Sequence, residues 1–234
     1  CEGRPRAEGL AARMDQVCFR WNATTEPIIN FQCLEILSGE RLFIGGPSGS
    51  GKTTLLGLFA GILLPQAGAV ELLGQSVQTL GGAGRDRFRA DHIGYIHQLF
   101  NLIPYLSVIE NVTLPCRFSK RRFQRLEDSP EREAGRLLAR MGLTDGNLLK
   151  RKVTELSVGQ QQRVAAARAL IGSPELIIAD EPTSALDAAN REAFIELLFK
   201  ECRETGSTLI FVSHDSSLGP LFDRAVQLEG GAAC

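Results

Sequence analysis

An eight-residue stretch rich in glycine and serine carries the clearest chemistry in this sequence. Residues 46–53 read Gly-Pro-Ser-Gly-Ser-Gly-Lys-Thr, which fits the spacing G-x-x-x-x-G-K-[ST]. The three glycines let the backbone curl so that successive N–H groups point inward at phosphate oxygens. Lys52 adds a mobile positive charge for the β- and γ-phosphates, and the Thr53 hydroxyl suits Mg²⁺. The stretch therefore predicts a site for a nucleoside triphosphate and its magnesium ion.

The flanking residues fit this phosphate-binding loop, known as a P-loop or Walker A motif. Residues 41–44 predict a short buried strand, and residues 53–60 predict a helix whose positive N-terminal end faces the phosphates. The alternative is a glycine-rich turn that binds nothing, and eight matched positions between a strand and a helix disfavour it. The predicted nucleotide-binding residues of this loop are Gly46, Pro47, Ser48, Gly49, Ser50, Gly51, Lys52, Thr53 and Thr54.

A pair of adjacent carboxylates predicts the second half of the chemistry. Asp180 and Glu181 follow the apolar run 176–179, which is typical of a strand buried on both faces. The carboxyl end of such a strand lies at the sheet edge that also carries P-loops. We expect Asp180 to hold Mg²⁺, directly or through a water, and Glu181 to orient or deprotonate the attacking water. A surface acidic pair is the alternative, and the preceding P-loop makes it less favoured.

Residues 156–163, Leu-Ser-Val-Gly-Gln-Gln-Gln-Arg, predict a second anion-binding site. A serine N-cap next to a glycine at the start of a helix presents free N–H groups to an anion. One nucleotide has a single γ-phosphate, which Lys52 already contacts in this interpretation. The second site therefore suggests that the nucleotide bound by a partner chain is its target.

Composition limits the possible classes of protein. The chain has 234 residues, enough for one domain with an inserted subdomain, and its 44% hydrophobic and 23% charged residues are ordinary for a soluble globular protein. A net charge of −1 argues against a protein that is basic overall. No window approaches the roughly 18 apolar residues of a membrane span, and residues 1–13 lack the apolar core of a signal peptide. The six scattered cysteines fit reduced thiols better than a zinc site or a disulfide framework.

The pattern of elements predicts an α/β fold. Residues 14–44 alternate as strands of an antiparallel sheet, and later strands alternate with helices as in a mainly parallel sheet. Residues 81–84 are interpreted as a hinge or a loop, and residues 92–97 as a strand that ends at Gln98. Residues 99–155 predict a mostly helical insertion, in which Ser107 and Glu110 have the spacing of a capping box.

Basic and aromatic residues alternate along residues 117–125 of that insertion. One interpretation is a solvated helix face. The other is contact with nucleic acid or with anionic headgroups, of which the lipid-facing role is preferred.

The motifs together resemble those of the nucleotide-binding subunit of ATP-binding cassette (ABC) transporters, from about Met14 to Leu228. By that resemblance, Trp21 stacks on adenine in place of the more usual tyrosine. Gln98 resembles the Q-loop glutamine, which reaches Mg²⁺ and the attacking water and couples to the membrane partner. Residues 180–181 resemble the Walker B pair, and His214 resembles the switch histidine that contacts the γ-phosphate.

The signature motif shows one departure from the family pattern. Residues 156–160 resemble LSGGQ, with Val158 where glycine is usual. Ser157, Gly159 and Gln160 match, and we expect the Val158 side chain to point away from the nucleotide so that activity is retained. Residues 184–187 resemble the D-loop, which ends at Asp187.

The resemblance implies a fold, a mechanism and partners. It implies a single domain, 1–234, with a RecA-like P-loop NTPase core (14–98 and 156–228), an antiparallel β edge subdomain and an α-helical subdomain (99–155). Two copies would close head to tail on two Mg-ATP molecules, each signature completing the other copy's Walker A, and hydrolysis would reopen them. The chain would act in the cytoplasm, at the inner face of the membrane through an integral membrane permease, with no nucleic acid expected.

Residues 98–104 and 106–112 resemble one branch in particular, the lipoprotein-releasing, macrolide-exporting and cell-division ATPases. Three alternatives remain: a soluble ABC-type ATPase acting on nucleic acid or ribosomes, a P-loop kinase or GTPase, and a cassette that does not hydrolyse ATP. The near-neutral charge and the lack of duplicated or coiled-coil segments disfavour the first. The signature and His214 disfavour the second, and Glu181 with His214 disfavours the third.

Overall fold

The computed structural model describes residues 9–22 and 26–228 of the chain. These residues form two compact units, the first from residues 9–89 and 208–228, the second from residues 90–207. Residues 1–8, which belong to the stretch 1–13 assessed above for a signal-peptide core, lie outside the described residues.

The strands and helices of the described residues follow the order predicted for an α/β protein. The strands are β1 (Leu10–Phe19), β2 (Ile29–Leu37), β3 (Arg41–Gly45), β4 (Ala67–Leu72), β5 (Gln75–Ser76), β6 (Ile93–Ile96), β7 (Leu176–Asp180), β8 (Thr208–Ser213) and β9 (Arg224–Gln227). The α-helices are α1 (Lys52–Phe59), α2 (Gly82–His92), α3 (Val108–Phe118), α4 (Lys120–Gln124), α5 (Pro130–Arg140), α6 (Val158–Leu170) and α7 (Ala188–Thr205). Short 3₁₀ helices occupy Val77–Thr79, Gly146–Lys150, Val153–Glu155 and Ser216–Leu221.

The first unit contains the predicted antiparallel sheet. Its order is β2-β1-β4-β5, and Met14 of β1 lies opposite Leu34 on one side and Val70 on the other. All three side chains are buried, as alternation along these strands predicts. In the same unit β3 pairs in parallel with β8 and β9, and Phe43, Phe211 and Phe222 pack against one another.

The second unit combines a parallel strand pair with helices. Strands β6 and β7 pair in parallel, and all five residues of β7 are buried. Helix α3 begins at Ser107 with the predicted capping box, since Glu110 N donates to Ser107 Oγ at 3.3 Å and Ser107 N donates to Glu110 Oε2 at 2.8 Å. Helix α5 has Ser129 as its N-cap and Pro130 as its first helical residue.

Residues 82–84 of the glycine-rich stretch 81–84 are helical, so the interpretation of this stretch as a hinge or loop is wrong there. Gly82 opens α2, and Arg85 N donates to Gly81 O at 2.9 Å. The first N–H groups of a helix need no helical partner, so glycines cost least there, and the residues that follow favour a helix.

The basic and aromatic residues 117–125 are not a solvated face throughout, because Arg122 is only 2% exposed. Its guanidinium donates to four backbone carbonyls: Ala90 at 2.8 Å, Ala169 at 3.2 Å, Ile171 at 3.1 Å, and Ile93. Arg121 and Arg125 both pair with Glu175. Three of the five cations in the stretch therefore hold the second unit together, while Phe118 and Phe123 are exposed.

Two further expectations concern thiols and membrane spans. Cys18, Cys116 and Cys202 are free thiols, but Cys33 is disulfide-bonded, so the expectation of reduced cysteines is wrong at this position. Among the described residues no helix is long and apolar enough to cross a bilayer.

Candidate functional site

The P-loop of the first unit has the open, backbone-lined form that phosphate binding requires. Gly46, Gly49 and Gly51 have φ angles of 155°, 82° and 94°, in the region that favours glycine. Lys52 is nearly buried, and its Nζ donates to Gly46 O at 2.7 Å and to Pro47 O at 2.8 Å. The ammonium group is thereby held over the loop from which the predicted phosphate contacts arise.

Steric crowding explains why two of these positions take glycine. A Cβ on Gly46 would lie 2.7 Å from Ser50 Oγ and 2.8 Å from Leu228 O. A Cβ on Gly51 would lie 2.7 Å from Ile28 Cγ2. Contacts this short force atoms to move, so the loop conformation depends on glycine at both positions. Ser50 Oγ is buried and has no hydrogen-bond partner among the described residues.

The helix that follows is placed as the sequence predicts. Gly51 is the N-cap of α1, with no side-chain cap and no acidic residue in the first turn. The first N–H groups of α1 therefore remain available to an anion. Thr53 lies exposed on this first turn, whereas Thr54 is buried.

His214 leaves the sheet beside the P-loop. In the parallel pairing of β3 with β8, Gly45 lies opposite Ser213, and each is the last residue of its strand. Gly46 and His214 are therefore the residues that come immediately after these two neighbouring strands, at one edge of the sheet. His214 is exposed, and its turn is fixed by Asp215 N, which donates to Ser213 Oγ at 3.1 Å.

Trp21 follows β1 in the same unit and is 58% exposed. Phe19 contacts it edge to face, with ring centroids 5.2 Å apart and an interplanar angle of 89°. An exposed indole of this kind can stack on a nucleobase.

In the second unit the predicted catalytic carboxylates and Gln98 lie at one edge of the sheet. Ile96 of β6 lies opposite Ala179 of β7, so Asp180 comes one residue after this pair on β7 and Gln98 comes two residues after it on the other chain segment. Asp180 and Glu181 are only 8% and 9% exposed, and Gln98 is exposed. Glu181 has a φ of 47°, a conformation that a non-glycine residue keeps only when its surroundings hold it. Such strained residues concentrate at functional sites.

Sequence reasoning missed a pair of stacked rings in this unit, one of which, Tyr95, is close enough to Asp180 to be affected by its charge. Tyr95 and His97 stack with centroids 4.1 Å apart. Burial, together with the negative charge of Asp180, raises the pKa of Tyr95 well above its usual value, so its phenol stays protonated. Burial and then the charge of Arg168 lower the pKa of His97. The alternation of β6 was the only signal that pointed to these residues, and it does not distinguish them from core residues.

The signature stretch forms a capped helix start, as predicted. Ser157 Oγ accepts from Gln160 N at 3.3 Å, and Ser157 N donates to Gln160 Oε1 at 3.0 Å. Ser157 is exposed, and Val158 is 50% exposed at the first position of α6. A Cβ built on Gly159 would meet Leu186 Cδ2 at 3.7 Å, so the signature and the D-loop approach each other within this unit.

Asp187 has a structural task in the D-loop. Its Oδ1 accepts from Asn190 N at 2.9 Å and its Oδ2 accepts from Asn190 Nδ2 at 2.8 Å, which makes it the N-cap of α7. The turn before it is closed by Ser184 N, which donates to Glu181 O at 3.2 Å. The D-loop is therefore fixed to Glu181 at one end and to a helix start at the other.

The donor chemistry suits Mg-ATP. Among the described residues no cluster of three or more His, Cys, Asp or Glu side chains forms a metal cage. Magnesium bound with a nucleotide typically takes one or two protein oxygens together with phosphate and water oxygens. The exposed hydroxyl of Thr53 and the buried carboxylate of Asp180 are donors of this kind.

Comparison with known proteins decides the family. The model of the ABC transporter family matches residues 31–184. The chain belongs to the ABC transporter family. It is 38% identical over 205 residues to the lipoprotein-releasing system ATP-binding protein LolD of Hydrogenovibrio crunogenus, covering 88% of this chain and 86% of the relative.

Solved structures of ABC cassettes have the same fold. The ATP-binding cassette MJ0796, as a dimer in a post-hydrolysis state bound to ADP and Pi, matches with a TM-score of 0.82 and 32% identity over 95% of this chain and 96% of that one. CbiO1 from Clostridium perfringens, part of the ABC transporter complex cbiONQ, matches with a TM-score of 0.83 and 26% identity over 97% and 88%.

These findings confirm the predictions of family, fold class and activity. The chain is the ATP-binding, ATP-hydrolysing subunit of an ABC transporter, with the fold of that family. Its relatives fit the predicted lipoprotein-release and macrolide-export branch. They lend no support to the alternative of an ATPase acting on nucleic acid or ribosomes.

Proposed function

We propose that this chain hydrolyses Mg-ATP as a head-to-tail dimer of two copies and thereby drives an integral membrane permease. The observation that carries the dimer is the exposed, capped helix start at Ser157, present in addition to the P-loop. A chain with one P-loop has one nucleotide of its own, so the second anion site suits the γ-phosphate bound by a partner. MJ0796, which is dimeric with ADP and Pi, supports this arrangement.

Each predicted site residue receives a role in this proposal. Trp21 stacks on adenine, and residues 46–54 bind the phosphates, with Lys52 on the β- and γ-phosphates. Thr53, Asp180 and Gln98 bind Mg²⁺ directly or through water. The magnesium ion would neutralise charge developing on the phosphates.

The catalytic step itself requires a polarised water. Glu181 orients that water or takes its proton, Gln98 positions it, and His214 contacts the γ-phosphate. Ser157, Val158, Gly159 and Gln160 would act in trans on the partner's nucleotide, with the Val158 side chain directed away from it. Asp187 would hold the D-loop at the dimer interface.

The subdomains have separate tasks in this proposal. Residues 14–98 and 156–228 form the nucleotide-binding core, and residues 99–155 form the helical subdomain within the single domain 1–234. CbiO1, part of a transporter complex, supports a membrane subunit as partner. This chain would then act at the inner face of the cell membrane, with export, lipoprotein release or mechanotransmission as the output.

Two measurements test the proposal. Purified wild-type protein should hydrolyse ATP in the presence of Mg²⁺, and Glu181→Gln should lower kcat by about 10²- to 10⁴-fold because the base is lost. The surface variant Glu196→Gln on α7 should keep wild-type kcat. Tagged Glu181→Gln protein should recover an integral membrane protein from detergent-solubilised membranes in Mg-ATP. Recovery of soluble partners or nucleic acid alone would contradict the permease.

A further inference from the structure

Helix α6 contains one cation within an otherwise apolar stretch. Residues 164–170 read Val-Ala-Ala-Ala-Arg-Ala-Leu, and all but Arg168 are buried. The guanidinium of Arg168 donates through Nη1 to Asn101 O at 2.7 Å and through Nη2 to Phe100 O at 2.6 Å. A fork of two donors from one rigid group thus holds two consecutive carbonyls.

The two carbonyls belong to a strained turn. Phe100 has a φ of 58° and Asn101 a φ of 47°, both in the left-handed region. This conformation is unfavourable for residues with a side chain, and two in succession are held only by surrounding contacts. Phe100 N donates to His97 O at 2.9 Å and Asn101 N to Leu99 O at 2.6 Å, which close the turn.

Gln98 and Leu99 lie at the tip of this turn. Gln98 is exposed and Leu99 is 84% exposed, so neither has burial to fix it in place. The strand β6 fixes the turn on one side, and the Arg168 fork fixes it on the other.

We propose that Arg168 is a positioning residue that holds Gln98 through the carbonyls of Phe100 and Asn101. This rests on the proposed role of Gln98 toward Mg²⁺ and the attacking water. Arg168 itself touches no substrate. Since Ser157 caps the same helix, the clamp also ties the position of Gln98 to the signature end of α6.

Without the clamp the strained turn relaxes, and Gln98 moves from its working position. A displacement of about 1 Å at a group that orients reactants lowers the rate by about 100-fold. Arg168→Gln should therefore lower kcat by about 10- to 100-fold. The Kd for ATP should change by no more than about twofold, since Arg168 is not among the residues proposed to bind the nucleotide. Arg168→Lys keeps the charge but lacks the fork, and its kcat should lie between those of wild type and Arg168→Gln.

A double-mutant cycle with Gln98→Ala tests the proposal. If Arg168 acts through Gln98, adding Arg168→Gln to Gln98→Ala should lower kcat by less than about twofold further. A control arginine outside the motifs is Arg136 on α5, whose guanidinium donates to Glu133 Oε2 at 2.9 Å, and the control variant is Arg136→Gln. That variant should keep kcat within about twofold.

Three outcomes would overturn the proposal. The first is an unchanged kcat in Arg168→Gln, and the second is a fold-decrease in kcat on adding Arg168→Gln that is equal in the wild-type and Gln98→Ala backgrounds. The third is a decrease in the kcat of Arg168→Gln while Gln98→Ala keeps the wild-type kcat. If Arg168→Gln unfolds at a lower temperature than the assay allows, the same double-mutant cycle is measured with Arg168→Lys in its place. The proposed function would be contradicted by a different result: wild-type protein that shows no ATPase activity, or whose activity is the same as that of Glu181→Gln.

Discussion

Gly45 and Ser213 lie directly opposite each other as the last residues of parallel strands β3 and β8. The P-loop follows the first and His214 follows the second, so two motifs separated by about 160 residues of sequence leave the sheet side by side. Parallel pairing alone produces this arrangement, because the carboxyl ends of parallel strands lie at the same edge.

Substitution of Gly46 by alanine should abolish ATP binding. The added Cβ would lie 2.7 Å from Ser50 Oγ and 2.8 Å from Leu228 O, and the φ of 155° is unfavourable for alanine. Isothermal titration with ATP should show no binding, while the far-UV CD spectrum stays unchanged. Gly81→Ala, where nothing lies within 4 Å, is the control and should bind normally. Normal ATP binding by Gly46→Ala would contradict the proposal that this loop binds the phosphates of ATP.

The fluorescence of Trp21 should report ATP binding directly. It is the only tryptophan of the chain, and it is exposed. Stacking on adenine should quench its emission in a saturable titration. Trp21→Ala should raise the Kd for ATP by about 10- to 100-fold, measured by calorimetry, whereas Trp21→Phe should restore most of the affinity. Equal affinity of Trp21→Ala and wild type would exclude stacking on adenine.

Ser157 and Ser129 form a matched pair of helix caps. Each accepts a backbone N–H at 3.3 Å, Ser157 from Gln160 and Ser129 from Arg132. Alanine at either position should lower the free energy of unfolding by about 1 kcal/mol. Only Ser157→Ala should also lower kcat, by about 10²- to 10³-fold, because only this serine is proposed to face a phosphate. Urea unfolding measures the effect on stability, and steady-state ATPase assays measure the effect on kcat. Equal kcat values for Ser157→Ala and Ser129→Ala would contradict the proposed contact of Ser157 with a phosphate.

Arg122 should contribute strongly to stability. Replacing it with methionine leaves four backbone carbonyls short of a buried donor, which should cost about 3 kcal/mol or more. Urea unfolding measures the loss, and Arg117→Met on the exposed side of the same stretch should change the free energy of unfolding by less than about 0.5 kcal/mol. A near-wild-type stability of Arg122→Met would show that the carbonyls find other donors.

Glu175 should make part of the stability sensitive to acid. Burial raises the pKa of Glu175, but hydrogen bonds from His92 and Arg121 and the charge of Arg125 outweigh it, and the net shift is well below the usual value. A carboxyl whose pKa is lowered on folding stabilises the protein above its unfolded pKa, about 4.3, and loses that contribution as the pH falls further.

The pH dependence of unfolding measures this contribution. Wild type should be more stable than Glu175→Gln at pH 7, by about 1 kcal/mol, and the difference should shrink steadily below about pH 4. Glu131→Gln, at an exposed position, should show no such difference at either pH. A difference that stays constant from pH 7 to pH 3 would contradict the assignment to the Glu175 carboxylate.

The sequence by itself determined the P-loop, the Asp180-Glu181 pair, the signature helix and the alternating strands. Each of these is encoded locally, by glycines that permit a turn, by a serine cap or by the period of apolar residues. The helix at 82–92 was missed because its glycines occupy the first turn, where they carry little penalty.

Only the tertiary structure decided what the long basic side chains do. The sequence shows Arg122 among other cations and Arg168 among alanines, but neither pattern states which carbonyls they reach. Those partners are distant in sequence, 67 and 68 residues away for Arg168. A long flexible side chain takes its position from whichever unsatisfied acceptors the folded backbone brings near it, and that information exists only once the strands and helices have packed.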